Sequence, residues 1–398
     1  MTKLGLPYAL MQGAAWAMQG SLYCYSSVFL LSQGLSNTQI GVLMGGAVGA
    51  CFVGQVAFGA WLNGRGRRGL KGFLLLCAAA LLALDLALLA RPGRAGGVAC
   101  FLGICLFLQL VPPFLNAACM YELQLGREID FGLGRGCGSL GYATCSIWVG
   151  GLIARSGPGA MFAVGGVLGL VLLGSILWFY AGAEAGCHQP PRPAPTARQG
   201  LPDARFLRTY RRYGLFLAGT VLLMLGHTFL SNFLYQVVAF KGGDEAATGV
   251  AAAVAAFAEI PVMFVFARMA RRVRCDRWLK VSCVFLILKM LLTCLAGSLI
   301  LVELIQVLQM AGYALFAVSS VYYTGTVIPH RDVVSGQAWL SAAVTLGVLL
   351  SLLLGGAILD RMGVPALLMT GVAAMTAGTA VVFRAVQPVG AVVGAGTD

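Results

Sequence analysis

Residues 131–142 read FGLGRGCGSLGY, and the rest of the chain is organised around them. The stretch opens an apolar segment that runs to Ala154, long enough to cross a bilayer. Inside that segment sits Arg135, a charge that hydrocarbon tolerates only when a partner or water reaches it. Glycines at 132, 134, 136, 138 and 141 flank it and let a neighbouring helix, or a ligand, come close to the backbone. Arg135 and Tyr142 are seven residues apart and so share one helical face. A guanidinium and an aromatic ring on one face can hold a polar ligand by bidentate hydrogen bonds and stacking. A second reading stays open, in which Arg135 snorkels from its helix end into the interface and binds nothing.

The whole composition agrees with a membrane setting. The chain is 59% hydrophobic and 10% charged, with a mean hydropathy of +0.86, whereas a soluble domain carries about 25% charged residues. Apolar runs of about 20 residues fit spanning helices and not the alternating strands of a barrel. The twelve cysteines are scattered, with no CxxC, and His188, His227 and His330 lie far apart. These patterns point to no disulfide framework, no metal site and no cofactor. No catalytic grouping emerges, so the chain reads as a non-enzyme, and the absence of GxxxxGK[ST] argues against direct drive by ATP. After Lys3 comes an apolar run too long for a signal-peptide core, which reads as a retained first span.

Twelve spans are expected, at 5–31, 39–62, 72–90, 97–121, 132–154, 159–183, 213–239, 246–267, 278–298, 300–327, 333–359 and 363–385. Residues 184–212 interrupt them with prolines and six arginines and read as a linker, its end at 203–212 a short basic surface helix. The expected organisation is a six-helix bundle at 1–183, the linker, a second six-helix bundle at 213–385 and a tail at 386–398. Basic residues set the orientation. With the N-terminus inside, 20 of the 27 Lys and Arg fall at cytoplasmic ends and loops, against five in outer loops. The net charge of +13 is therefore a topology signal and excludes nucleic acid as a partner. The basic loop GRGRRGLK after span two echoes RMARRVRCDRWLK after span eight, and GGLIARSGP at the end of span five echoes GGAILDRMGVP at the end of span eleven. Such duplication is that of an all-α transporter with two pseudo-symmetric bundles, its solute bound between the halves near the midplane.

On these residues the chain resembles the major facilitator superfamily, and within it the lactose-permease-like proton symporters of sugars, nucleosides and similar solutes. FGLGRGCGSLGYA at 131–143 is similar to the fifth-helix pattern of that branch, which implies a substrate-binding role for Arg135 and a stacking role for Tyr142. GQVAFGAWLNGRGRRG at 54–69 resembles the superfamily's gate loop. Gly59, Arg65, Gly66, Arg67 and Arg68 fit that pattern, and Asn63 stands where the family usually has Asp. Glu259 in span eight resembles the carboxylate that binds substrate and senses the proton, Lys289 its basic partner in span nine, and His227 falls near a family Asp; the resemblance makes all three substrate-binding candidates. Gln309 and Gly312 occupy the places of the family's coupling His and Glu in span ten. Proton coupling is then assigned to Glu259 with His227.

A structural reading of Glu259 and Lys289, as a buried pair that only steers packing, stays open beside this one. Asn116 follows Pro112 and Pro113, which free backbone carbonyls toward a cavity, and joins the substrate-binding candidates. Trp16, Tyr23, Tyr25 and Gln55 are weaker candidates again, since aromatics in spans mostly pack. Asp85 and Glu303 lie within a turn or two of the outer surface and read as snorkelling or helix-end residues, not as ligands. The expectation is a secondary active transporter of a small polar solute, coupled to protons. It would be a monomer in the lipid bilayer of the plasma (inner) membrane, with both termini cytoplasmic. An uncoupled facilitator and an exporter of lipid- or drug-like compounds are the alternatives.

Overall fold

The computed structural model describes residues 4–62, 65–90, 92–185, 204–272, 274–329 and 332–388. Among them every regular element is helical, as the composition predicts. The first part of the chain forms α1 (Gly5–Met18), α2 (Ser26–Ser32), α3 (Asn37–Leu62), α4 (Gly66–Leu89), α5 (Arg94–Gln124), α6 (Phe131–Ser156) and α7 (Met161–Ala185). The later part forms α8 (Ala204–Thr209), α9 (Arg211–Asn232), α10 (Leu234–Phe240), α11 (Glu245–Arg272), α12 (Cys275–Leu295), α13 (Leu299–Ile305), α14 (Leu315–Val327) and α15 (Val333–Ala385). The helix expected near 203–212 is α8, while most of the linker, with His188, lies outside the described residues, as does His330.

Ten helical runs among the described residues are long and apolar enough to cross a membrane. Two features bring this number into line with twelve spans. The 53 residues of α15 would measure about 80 Å, far beyond the roughly 30 Å of hydrocarbon. The run breaks at Gly363, whose φ of 78° is open to glycine, with Pro365 just beyond. Residues 5–32 are also interrupted, by a π-helical turn at Gln19–Tyr23 between α1 and α2. Large apolar side chains such as Leu76, Trp148 and Ile300 remain exposed on the helices, which suits lipid as the solvent.

The glycines of the opening stretch explain how α6 is seated. At Gly134 the space of a side chain is taken by the Tyr8 ring, at Gly138 by the Trp16 ring and at Gly141 by the Gly13 carbonyl. All three turn toward α1, so their small size serves helix contact. Asp130 caps α6, accepting from the Leu133 amide at 2.8 Å, and Gly157 ends it with φ 80°.

The helices gather into two compact units. One holds the chain up to Leu35, from Gly46 through α7, and Asp244–Ala253; the other holds Ser36–Gly45, α8 to Gly243, and the chain from Val254. In the first, Phe29 packs on Phe101 and Phe162, with ring centroids 4.7 and 5.1 Å away. In the second, Phe216, Phe229, Phe233, Phe316 and Tyr323 centre a buried core. Asp85 lies one turn from the end of α4 and is 0% exposed, so it sits at a helix end and does not snorkel. The bare backbone of Gly165 and Gly166 in α7 leaves room for its carboxyl inside the unit.

Candidate functional site

In the first unit α6 presents Arg135 to α1, where its guanidinium carbon lies 4.0 Å from the centre of the Trp16 ring. Gly138, one turn after Arg135, makes the gap, because a β-carbon there would lie 2.7 Å from Trp16 Cδ1. The ring that Arg135 stacks on is thus Trp16, which sequence reasoning ranks as a weaker candidate than Tyr142. Tyr142 sits about two turns further along α6, its hydroxyl against the Cys24 thiol. Beside Arg135, Gln12 Nε2 donates to both Tyr8 Oη and Asn116 Oδ1, each at 2.8 Å. Gln12 Oε1 is buried and has no hydrogen-bond partner among the described residues. Asn116 is thereby brought next to Tyr8 and Gln12.

The proline pair of α5 has a different consequence from the one expected. Pro112 and Pro113 have no N–H, so the carbonyls four residues earlier, of Leu108 and Gln109, lose their helical donors. Gln19 Nε2 donates to Leu108 O at 2.9 Å and to Gln109 Oε1 at 3.0 Å. Gln55 Nε2 donates to Gln109 O at 3.1 Å. Both freed carbonyls are satisfied by glutamine side chains from α3 and from the π turn after α1.

In the second unit, Glu259 of α11, Lys289 of α12 and the irregular stretch between α13 and α14 converge. That stretch is a 3-10 turn at Gln306–Gln309 followed by a π turn at Met310–Ala314. Lys289 Nζ donates to Gln309 Oε1 at 2.5 Å, and Gln309 Nε2 donates to Glu259 Oε1 at 2.8 Å. The amide therefore bridges a buried ammonium and a carboxylate, its two ends matching the two charges. His227 of α9 stacks on Tyr313 of the π turn, centroids 4.6 Å apart and planes 12° from parallel. Sequence reasoning singles out Glu259, Lys289 and His227 and passes over Tyr313. It places Gln309 as a gap in the coupling set, not as a link. A π turn carries no signature in a single sequence, which is why its residues go unnoticed.

The gate-like motif spans the end of α3 and the start of α4. Gly59 lies in α3, Gly66 opens α4, Arg68 is exposed, and Asn63 is outside the described residues. Arg65 stacks on Trp61 at 3.7 Å. Arg67 makes a bidentate ion pair with Glu122 of α5, Nε to Oε1 at 2.7 Å and Nη2 to Oε2 at 2.8 Å. Lys71 pairs with Glu184 of α7 at 2.8 Å. Among the described residues no cluster of His, Cys, Asp and Glu could hold a metal ion.

No curated protein matches the sequence. Solved structures do match in fold. A point mutant of the nucleoside transporter NupG is 16% identical, with a TM-score of 0.78 over 96% of this chain and 98% of that one. NupG itself gives 0.73 at the same identity and coverage. PepTSo, a POT family transporter, gives 0.68 at 13% identity, over 96% of this chain and 98% of that one. The family model that the sequence matches, over residues 14–370, is that of the MFS_1 like family. Helical architecture and family match agree: this chain belongs to the MFS_1 like family and is a membrane transporter of the major facilitator fold.

Proposed function

We propose that the protein is a secondary active transporter of a small polar solute, such as a sugar or a nucleoside, working by alternating access and coupled to protons through Glu259. The observation that carries this reading is the chain Lys289–Gln309–Glu259, a carboxylate and an ammonium joined through one amide. A proton on Glu259 removes the charge that balances Lys289 and so shifts the relative free energies of the transporter's states. His227, stacked on Tyr313, stands as the second coupling candidate. Arg135, Tyr142 and Asn116 are the solute-binding candidates of the first unit, with Trp16 and Gln12 added by proximity. The gate role of Gly59, Asn63, Arg65, Gly66, Arg67 and Arg68 belongs to the same proposal. So do a monomeric state, residence in the plasma (inner) membrane and cytoplasmic termini.

An uncoupled facilitator is the second reading. Gln309 and Gly312, which cannot titrate, stand where the family's coupling pair is expected. The deciding measurement is uptake into vesicles of a panel of nucleosides, sugars and small peptides, with and without a pH gradient. A coupled transporter accumulates its solute only with the gradient, and Glu259→Gln abolishes accumulation while exchange continues. Accumulation and a pH profile unchanged in Glu259→Gln would remove Glu259 from the mechanism. Equilibration without accumulation in the native protein would establish the facilitator.

A further inference from the structure

Asp85 takes no part in the sites described so far. It lies one turn before the end of α4 at Leu89, and it is completely buried. Among the described residues neither carboxyl oxygen has a hydrogen-bond partner. Opposite it, α7 shows bare backbone: a β-carbon on Gly165 would lie 2.7 Å from Oδ2 and 2.8 Å from Oδ1, and one on Gly166 3.5 Å from Oδ2. The two glycines thus leave a space that the carboxyl itself fills. Leu81 and Leu88 of the same helix are buried beside it.

Among the described residues, the charges on the helices beside Asp85 are engaged elsewhere. Helices α5 and α7 pack against α4, and α3 touches it where Phe58 meets Phe73, twelve residues before Asp85. On α5, Arg94 donates to the Gly34 carbonyl and Glu122 pairs with Arg67; on α7, Glu184 pairs with Lys71. The other titratable groups of the two helices are Cys100, Cys105, Cys119, Tyr121 and Tyr180, and none of them acts on Asp85. An ionised carboxylate in this place would give up water and receive no donor, ammonium or guanidinium in return. A neutral carboxylic acid avoids that cost.

We propose that Asp85 is a proton-binding site: at neutral pH its carboxyl holds a proton that lets α4 and α7 pack together, and it releases that proton when the two helices part. The site is distinct from Glu259, which lies in the other compact unit, and it does not depend on the transport reading.

Infrared spectroscopy of the full-length protein in lipid nanodiscs, with carbon-13 in the aspartate carboxyls, tests this directly. A protonated-aspartate carbonyl band is expected in the native protein at neutral pH. Asp360, which accepts hydrogen bonds from the start of α3, should appear as a carboxylate. Absence of the protonated band from the native protein overturns the proposal, and that measurement needs no variant. Asp85→Asn should lose the band, and its survival in this variant would also overturn it. Thermal melting gives a second readout. Native protein should lose melting temperature progressively as pH rises from the ordinary aspartate value of about 4 toward the pH at which the proton leaves, whereas Asp85→Asn, uncharged at every pH, should not show that loss. Parallel pH profiles would contradict the assignment.

Discussion

Arg135 shows how much one residue's role depends on a partner remote in sequence. Its charge inside an apolar run marks it out, but the ring beneath it, Trp16, lies more than a hundred positions away. The link between them is Gly138, whose lack of a side chain admits the indole. Trp16→Leu removes the cation–π contact and should cost about 1 kcal/mol of stability, read as a lower melting temperature in detergent. Gly138→Leu should cost more, about 1–3 kcal/mol, because the added side chain meets the indole directly. Combined, the two changes should cost less than their sum, since the smaller residue at position 16 makes room at position 138. Strict additivity would mean that they do not share one packing site.

At the scale of the element, helix ends and helix breaks decide where side chains meet. The start of α3 carries a capping box: the Ser36 amide donates to Gln39 Oε1 at 3.0 Å, and the Gln39 amide donates to Ser36 Oγ at 3.2 Å. That much is legible in the local sequence. The next two amides are satisfied from α15, where Asp360 accepts from Asn37 N at 3.1 Å, Asn37 Nδ2 at 2.9 Å and Thr38 N at 2.7 Å. A carboxylate at a helix N-terminus is favoured by the exposed N–H groups and the helix dipole. Burial works against its ionisation, but the donors of Thr38 and Asn37 outweigh it and hold the Asp360 pKa at about 2. The sign follows: this contact contributes fully above the ordinary carboxylate value of about 4, and is lost as pH falls through about 2. Asp360→Ala should cost about 1 kcal/mol at neutral pH, as the loss of a helix cap does. The difference in melting temperature between native protein and Asp360→Ala should shrink across that acid window. A difference that persists unchanged into strong acid would show that the charge is not what stabilises the contact.

For the molecule as a whole, two measurements report on assembly in the membrane. The Arg67–Glu122 pair is bidentate, with Glu122 fully buried, and it ties α4 to α5. Breaking it from one side with Arg67→Met should cost about 3–5 kcal/mol, because Glu122 is left buried without its partner. Adding Glu122→Leu should restore much of the loss, which thermal melting of the single and double variants will show. Orientation is a separate matter. The four-to-one excess of Lys and Arg expected on one side predicts that reporters fused to either terminus score as cytoplasmic. A periplasmic score at either end would refute the assigned topology.

Local chemistry in the chain was enough to establish an all-helical membrane protein, its approximate spans and the identities of its intramembrane charges. Hydropathy over about 20 residues, proline, glycine and charge act within one element, so one sequence reveals them. The partners of those charges were another matter. That Trp16 lies under Arg135, that Gln309 joins Lys289 to Glu259, and that two glutamines satisfy the carbonyls freed by Pro112 and Pro113 depends on which helices pack together and at what rotation. The burial of Asp85 likewise rests on two glycines of a helix about 80 residues further along the chain. Contacts between distant segments leave no local pattern in a sequence, and only the packed chain decides them.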